Sequence, residues 1–435
     1  MRWPVLVMAA LLPSGVAANP LDAFGFGARG VGLGGAMTAL SDDVSANYYN
    51  PAGLATGAGV HLELGYTFVT PTLRLNEADQ AVDESRGFQG GALLGGQLFG
   101  RRVGFSLGLH LPDERVSRVR ALPERQPRWV LWDNRPQRIV ITSSAAAEIV
   151  DGLTLGAGIT YLANTRGALH LEGDVNLFDA EQTQLVSTVD ATLASIRTAN
   201  VGLLYRRGPW RLGAVWRQDF RLLLELDVDV TGRVVTDPEN VVVPAGRFHL
   251  VSLNTNLFSP QQAYLGVAYA GERWRFALDV GWLDWSAFPS PTAAIDLELE
   301  LAPLEFSLPL PAAPLPPAFH DIWVPRVGVE WTALPGEHLG IVLRGGYFFE
   351  PSPVPEQPGR TNYVDADKHG LGLGVEVRYR DGAGIFPRPL RWGVSGQYVH
   401  LEERAYRKTD VADPVGDYTA RGQSLGLNTT LSVLF

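Results

Sequence analysis

WRFALDVGW, residues 274–282, alternates without interruption. In an extended chain Trp274, Phe276, Leu278, Val280 and Trp282 fall on one side, with Arg275, Asp279 and Gly281 on the other, because strand side chains repeat with a period of two. The bracketing tryptophans are eight residues apart, about 26 Å along a strand. Tilt shortens that span towards the roughly 25 Å apolar band that a membrane-crossing strand must cover.

The same pattern recurs outward from this stretch. Leu62, Leu64, Tyr66 and Phe68 share one face against His61, Glu63, Gly65 and Thr67. Val103, Phe105, Leu107 and Leu109 oppose Gly104, Ser106, Gly108 and His110, and Leu371 to Tyr379 alternates with glycine, Glu376 and Arg378. Tight connections at residues 99–101, 151–152, 208–209, 271–272, 335–337 and 381–387 alternate with long ones near 74–86, 112–137, 171–192, 233–246, 287–322, 350–367 and 405–420. Six short turns and seven long loops join fourteen strands, and an outer-membrane barrel segregates its loop lengths in this way. Trp210, Trp274 and Trp392 follow short turns, and Tyr205, Tyr269, Trp331 and Tyr379 precede them, as an interfacial aromatic ring requires. Leu431, Val433 and Phe435 put the final apolar residues on one face. A terminal strand ending in Phe435 resembles the signal read by the outer-membrane assembly machinery.

Composition supports this reading. The 435 residues are 46% hydrophobic and 10% aromatic, with 48 Gly and 30 Pro. Beyond the first residues, no apolar run approaches the ~20 that a membrane helix needs. A net charge of −10 argues against a nucleic-acid partner. The absence of cysteine excludes disulfides, Cys-ligated metals and thiol nucleophiles. The eight histidines are scattered without ligand spacing, so neither metal nor cofactor is expected.

Residues 1–18 read as a secretory signal: Arg2, an apolar core to Leu12, a break at Pro13-Ser14-Gly15 and a small-residue site at Val16-Ala17-Ala18. The mature chain is expected to begin at Asn19. Residues 19–57 form a Gly-rich segment containing Ser41 to Gly53, SDDVSANYYNPAG. Ser41 reads as an N-cap followed by Asp42 and Asp43 in the first turn. Asn50 must be extended because Pro51 follows it. The segment therefore reads as a small plug, its glycines allowing close backbone packing. Two G-x-G-x-x-G matches lie here, but without the preceding strand of a dinucleotide site.

A Gly-rich N-terminus running into D-D-x-x-x-x-x-Y-x-N-P-A-G resembles the FadL/TodX family of outer-membrane channels for long-chain fatty acids and hydrocarbons. Residues 276–286, FALDVGWLDWS, are similar to the family's Trp-x-x-Trp-Ser strand; Pro325 to Trp331, and Arg344 to Tyr347 with the prolines 351–355, resemble the elements that follow. The resemblance implies an all-β, 14-stranded antiparallel transmembrane barrel over residues 58–435, its lumen closed by an N-terminal hatch. Hydrophobic ligands would enter near the outer face and leave sideways into the outer-membrane lipid. Carried over by position, the hatch motif is Asn50, Pro51 and Ala52. A kink in the third strand would fall at Gly104, Gly108 and Pro112, where glycine and a strand-end proline weaken the ladder; ordinary glycines facing a crowded lumen would look the same.

A carboxylate ligand in an apolar lumen would need a cation. Arg217 and Arg221, alternating away from Trp216 and Phe220, face inward with Arg344 and Arg378 and are candidates for gripping a head group. The alternative is an ion network with Asp279, Glu330 and Glu376. Two G-x-S-x-G matches, at 104–108 and 422–426, lie within strands rather than on a strand-to-helix turn, so no catalytic residue is assigned. The expected protein is a monomeric outer-membrane channel for passive uptake. A diffusion porin for small polar solutes, or a lipid hydrolase, are the competing classes.

Overall fold

The computed structural model describes residues 25–57, 59–113, 126–132, 138–176, 184–235, 242–289, 292–301, 316–336, 338–380, 386, 388–410 and 413–435. The expected signal segment and the start at Asn19 lie outside these residues. Fourteen strands among them build the barrel wall: β1 (Gly59–Leu75), β2 (Ser85–Leu98), β3 (Arg101–Pro112), β4 (Val140–Val150), β5 (Leu153–Asn176), β6 (Gln184–Arg207), β7 (Trp210–Arg217, continuing as Phe220–Val235), β8 (Val242–Ser259, continuing as Gln262–Ala270), β9 (Trp274–Leu283, with an outer extension Thr292–Leu301), β10 (Ile322–Pro335), β11 (Leu339–Glu350), β12 (Lys368–Tyr379), β13 (Leu390–Tyr406) and β14 (Tyr418–Leu434). Sequential neighbours pair antiparallel, and β14 returns to β1 from His61↔Leu434 to Leu75↔Ala420, closing the sheet. Closure leaves neither a free first nor a free last strand, the condition for a sheet to cross lipid.

The alternation read from the sequence is the wall's two faces. On β9, Trp274, Phe276, Leu278 and Val280 are exposed to the lipid side, whereas Ala277, Asp279 and Gly281 are buried in the lumen. Trp274 stacks on Trp331, and Trp210 meets Tyr269 edge-on, building the inner aromatic ring. At the opposite end Trp282 pairs with Trp323 across β9 and β10. Gly100, Gly152 and Gly208 have φ of 74°, 80° and 58°, the left-handed conformation that tight turns of this kind demand.

Two expectations about the wall need correction. Much of 171–192 and 233–246 is strand, because the β5–β6 and β7–β8 hairpins continue pairing above the membrane band. There the outer part of β7 also lies parallel to β5, from Leu226↔Gly167 to Val235↔Asn176. Phe220 does not face lipid: the ladder breaks at Gln218–Asp219, the period resets, and Phe220 is buried while Arg221 is exposed.

Residues 25–57 lie inside the cylinder. They form α1 (Gly27–Gly32), α2 (Ala46–Tyr49) and a 3₁₀ turn, Pro51–Thr56. Leu33, Met37, Leu40 and Leu54 are fully buried between this segment and the wall. Ser41 is not the cap of α2. That place belongs to Ser45, and the Asp43 carboxylate accepts the Ser45 N–H at 2.9 Å. Asn50 is extended, with φ −158°, as the following proline dictates.

Candidate functional site

Asn50 anchors the plug. Its side-chain amide donates to the carbonyls of Thr38 (2.7 Å) and Leu203 on β6 (3.0 Å), and its Oδ1 accepts the Ala52 N–H (3.1 Å), capping the 3₁₀ turn. Further ties reach around the bore. Asp279 on β9 accepts the Thr38 N–H at 2.8 Å, Gln89 on β2 accepts the Gly27 N–H at 3.1 Å, and Thr430 on β14 accepts the Ala28 N–H at 3.0 Å. Ser395 on β13 donates to the Ala28 carbonyl at 2.6 Å. Where plug backbone comes closest, the wall carries glycine. A Cβ at Gly156 would overlap Pro51 and Ala52, at Gly202 the Asn50 side chain, at Gly213 the Thr38 carbonyl and at Gly346 the backbone at Leu33.

Among the third-strand positions, Gly104 meets plug backbone in the same way. β3 pairs with β2 and β4 without a register shift. A Cβ at Gly104 would strike the Leu54 carbonyl, and Gly108 lies beside Asn47 and Thr142. Pro112 ends the strand opposite Gly87. The wall is interrupted elsewhere. The β6–β7 ladder ends at Asn200↔Arg217, followed by two bonds between Ala199 and Gln218: the Gln218 N–H donates to the Ala199 carbonyl at 2.9 Å, and the Ala199 N–H donates to Gln218 Oε1 at 3.1 Å. From Thr198 outward, β6 has no β7 partner among the described residues. A cavity of about 30 Å³ lies at this break, between Asn47, Tyr48, Thr198, Gln218 and Phe220.

The four expected head-group arginines do not converge. Arg217 donates to the Tyr48 and Tyr49 carbonyls (2.8 and 3.2 Å) and to Gln262 (2.8 Å), with its guanidinium 4.4 Å from the Tyr48 ring. Arg221 is exposed, 5.8 Å from the Phe258 ring, with a 3.4 Å contact to the Ala287 carbonyl. Arg344 bridges Glu330 (2.7 Å) and Glu376 (2.6 Å), and Arg378 pairs with Glu376 at 2.7 Å. The network alternative describes Arg344 and Arg378, but Asp279 binds the plug's backbone instead of an arginine. Arg29 of α1 joins the same network through Asp42, Asp43 (2.9 Å) and Glu330 (3.1 Å), and Arg211 reaches Asp42 at 3.2 Å. Burial alone would raise the Asp42 carboxyl; Arg29, Arg275 and Arg211 outweigh it and hold it well below the carboxylate range.

The plug therefore divides the lumen into two unlike compartments. On the outer side a cavity of about 60 Å³ is lined by Tyr48, Trp132, Tyr264, Leu283, Trp285 and Phe348, and also by Gln262, Glu350 and Lys368. Arg326 also lines it, stacked 5.6 Å from the Tyr264 ring and 5.4 Å from the Phe348 ring. Arg326 belongs to the quoted stretch Pro325 to Trp331 and has the inward parity of Glu330. That parity was the available signal, but which cations remain near an apolar pocket depends on cross-strand register. Above this cavity Phe288 and Phe319 stack at 4.1 Å, and Trp129, Tyr363 and Val364 complete a buried outer cluster. On the periplasmic side a cavity of about 380 Å³ is lined by eight arginines and five carboxylates. Ser106, in one G-x-S-x-G match, faces inward, donating to the Ala92 carbonyl and accepting from Asn47.

No family model matches the chain. It is 22% identical over 411 residues to alkane uptake protein A of Marinobacter nauticus, covering 89% of this chain and 84% of that protein. Among solved structures it resembles a Pseudomonas aeruginosa FadL homologue (TM-score 0.56, 14% identity, 94% and 97% of the two chains). It also resembles the P. putida toluene transporter TodX (0.53, 16%, 94% and 98%) and the CymD monoaromatic hydrocarbon channel (0.55, 15%, 96% and 99%).

Proposed function

The chain is a bacterial outer-membrane β-barrel with the fold of the FadL/TodX channels, and from that premise we propose that it takes up hydrophobic compounds passively. The observation that carries this reading is the stoppered lumen with an aromatic-lined cavity on its outer side. A porin for polar solutes needs a hydrated bore, and residues 25–57 fill this one. Alkanes and other hydrocarbons, or long-chain fatty acids, are the substrate class, the first being what the M. nauticus relative is named for. The reading assigns no enzyme activity, cofactor or metal. The protein acts as a monomer.

Exit is lateral. Passage straight through would take an apolar molecule from an aromatic pocket into a vestibule of charged side chains, forfeiting about 25 cal/mol for each Å² of apolar surface returned to water. The break between β6 and β7 supports a sideways route, since its cavity reaches Tyr48, which also lines the outer pocket.

Uptake of labelled hexadecane, toluene and oleate by cells with and without the protein tests the function. Expression accelerates uptake of at least one; rapid entry of small sugars in a vesicle-swelling assay would instead establish a porin. In this cysteine-free chain, Ala199→Cys with Gln218→Cys staples the break. Oxidation slows uptake and reduction restores it if the route runs there; equal rates in both states place the exit elsewhere.

A further inference from the structure

The periplasmic vestibule carries more positive charge than its own carboxylates neutralise, in a chain whose net charge is −10. Two arginine pairs sit directly opposite one another across neighbouring strands, Arg206↔Arg211 on β6–β7 and Arg378↔Arg391 on β12–β13, and all four line the cavity. Like charges in that position repel. One member of each pair has a close carboxylate, Arg211 with Asp42 and Arg378 with Glu376. For the other member the carboxylate is distant and shared, or missing. Arg206 is 3.9 Å from Glu148, which already binds Arg102 through two 3.2 Å bonds, and its Nε and Nη2 are buried without a hydrogen bond. Arg391 has no carboxylate within ion-pair distance among the described residues. A third donor points the same way: Arg344, whose side chain is 1% exposed, has an Nη1 with no partner.

We propose that this vestibule is a binding site for a small, water-borne oxyanion of the phosphate class. Buried guanidinium donors without acceptors are costly, and their planar forks match the paired oxygens of phosphate. A cavity of about 380 Å³ holds such an ion with part of its hydration. The barrel wall separates it from the bilayer, so the occupant comes from the periplasm and not from a lipid leaflet. Occupancy would tie the plug to the wall, because Arg29 and Asp42 of the plug share the same network. This site is independent of which hydrophobic substrate the outer pocket accepts.

The test is calorimetric titration of the detergent-purified full chain with inorganic phosphate at constant ionic strength in chloride. Saturable one-to-one binding and a phosphate-dependent rise in Tm, absent with chloride, are expected. Arg206→Gln combined with Arg391→Gln weakens binding at least tenfold, while Arg421→Gln on outer β14 leaves it unchanged. Equal responses to phosphate and chloride, or undiminished binding by the double variant, would overturn the assignment. Binding of short-chain phosphatidylglycerol without any binding of phosphate would do the same. If the double variant fails to show the folded, heat-modifiable band, the phosphate-against-chloride comparison on the unaltered protein decides alone.

Discussion

Replacing Asn50 with Ala deletes one side chain and orphans three backbone groups: the Thr38 and Leu203 carbonyls and the Ala52 N–H. All surround a fully buried residue, where water has no easy access. An unsatisfied buried group costs about 1–3 kcal/mol. The carbonyls keep a second lone pair and belong at the low end, so about 3 kcal/mol for the three together is the expected loss. At ~1.4 kcal/mol per factor of ten, that raises the local opening equilibrium roughly a hundredfold. Hydrogen exchange of the purified protein reads it directly. Amides from Thr38 to Thr56 exchange about a hundredfold faster, while β10 and β11, whose ladders do not involve Asn50, keep their protection. Uptake falls, because the outer pocket's lining includes Tyr48 of the adjoining α2. Unchanged exchange over 38–56, equal acceleration in the wall strands, or unchanged uptake would refute the anchoring argument.

Gly346→Leu drives a side chain into the backbone at Leu33, so the plug shifts while the wall still closes; channel conductance in planar bilayers rises and the heat-modifiable band persists. Arg344→Met removes two charged hydrogen bonds while Glu330 keeps Arg29 and Arg275 and Glu376 keeps Arg378, and destabilises the protein by about 1.5–3 kcal/mol, measured by denaturant unfolding in vesicles. Leu278→Arg, on the lipid face midway between Trp274 and Trp282, costs about 2–4 kcal/mol by the same measurement. Leu334→Arg, near the turn after β10, costs about 1 kcal/mol or less because lipid depth sets the penalty.

The wall was legible because its physics is local: a strand between lipid and lumen must alternate, and residues 274–282 do so one by one. The resets were harder to read. Phe220 was misplaced because a two-residue break at Gln218–Asp219 changes the parity of everything after it. The plug was legible at Asn50-Pro51, where a covalent ring restricts the preceding residue, but not at α1. GARGVG is a poor helix former on propensity, and tertiary confinement overrides that. Ser41 was a plausible cap, yet Asp43 two residues before Ser45 supplied the acceptor first. The arginines were assigned to the correct face in three of four positions. Their partners depend on which strand lies opposite at which height, information held by register and not by neighbouring residues. The third-strand glycines fit two explanations: plug backbone lies against Gly104, while Gly108 is closest to Thr142 of the wall.

The bare backbone at Gly156, Gly202, Gly213 and Gly346 has a consequence for permeability. A cork seated against walls stripped of side chains leaves, if withdrawn, an unusually wide and unobstructed tube, open to ions and to anything noxious outside the cell. Selection for a tight envelope therefore opposes any transport cycle that ejects the cork. On the proposed sideways route, cargo would slip past its rim through movements of individual side chains and short turns, while the bulk of the stopper stays seated.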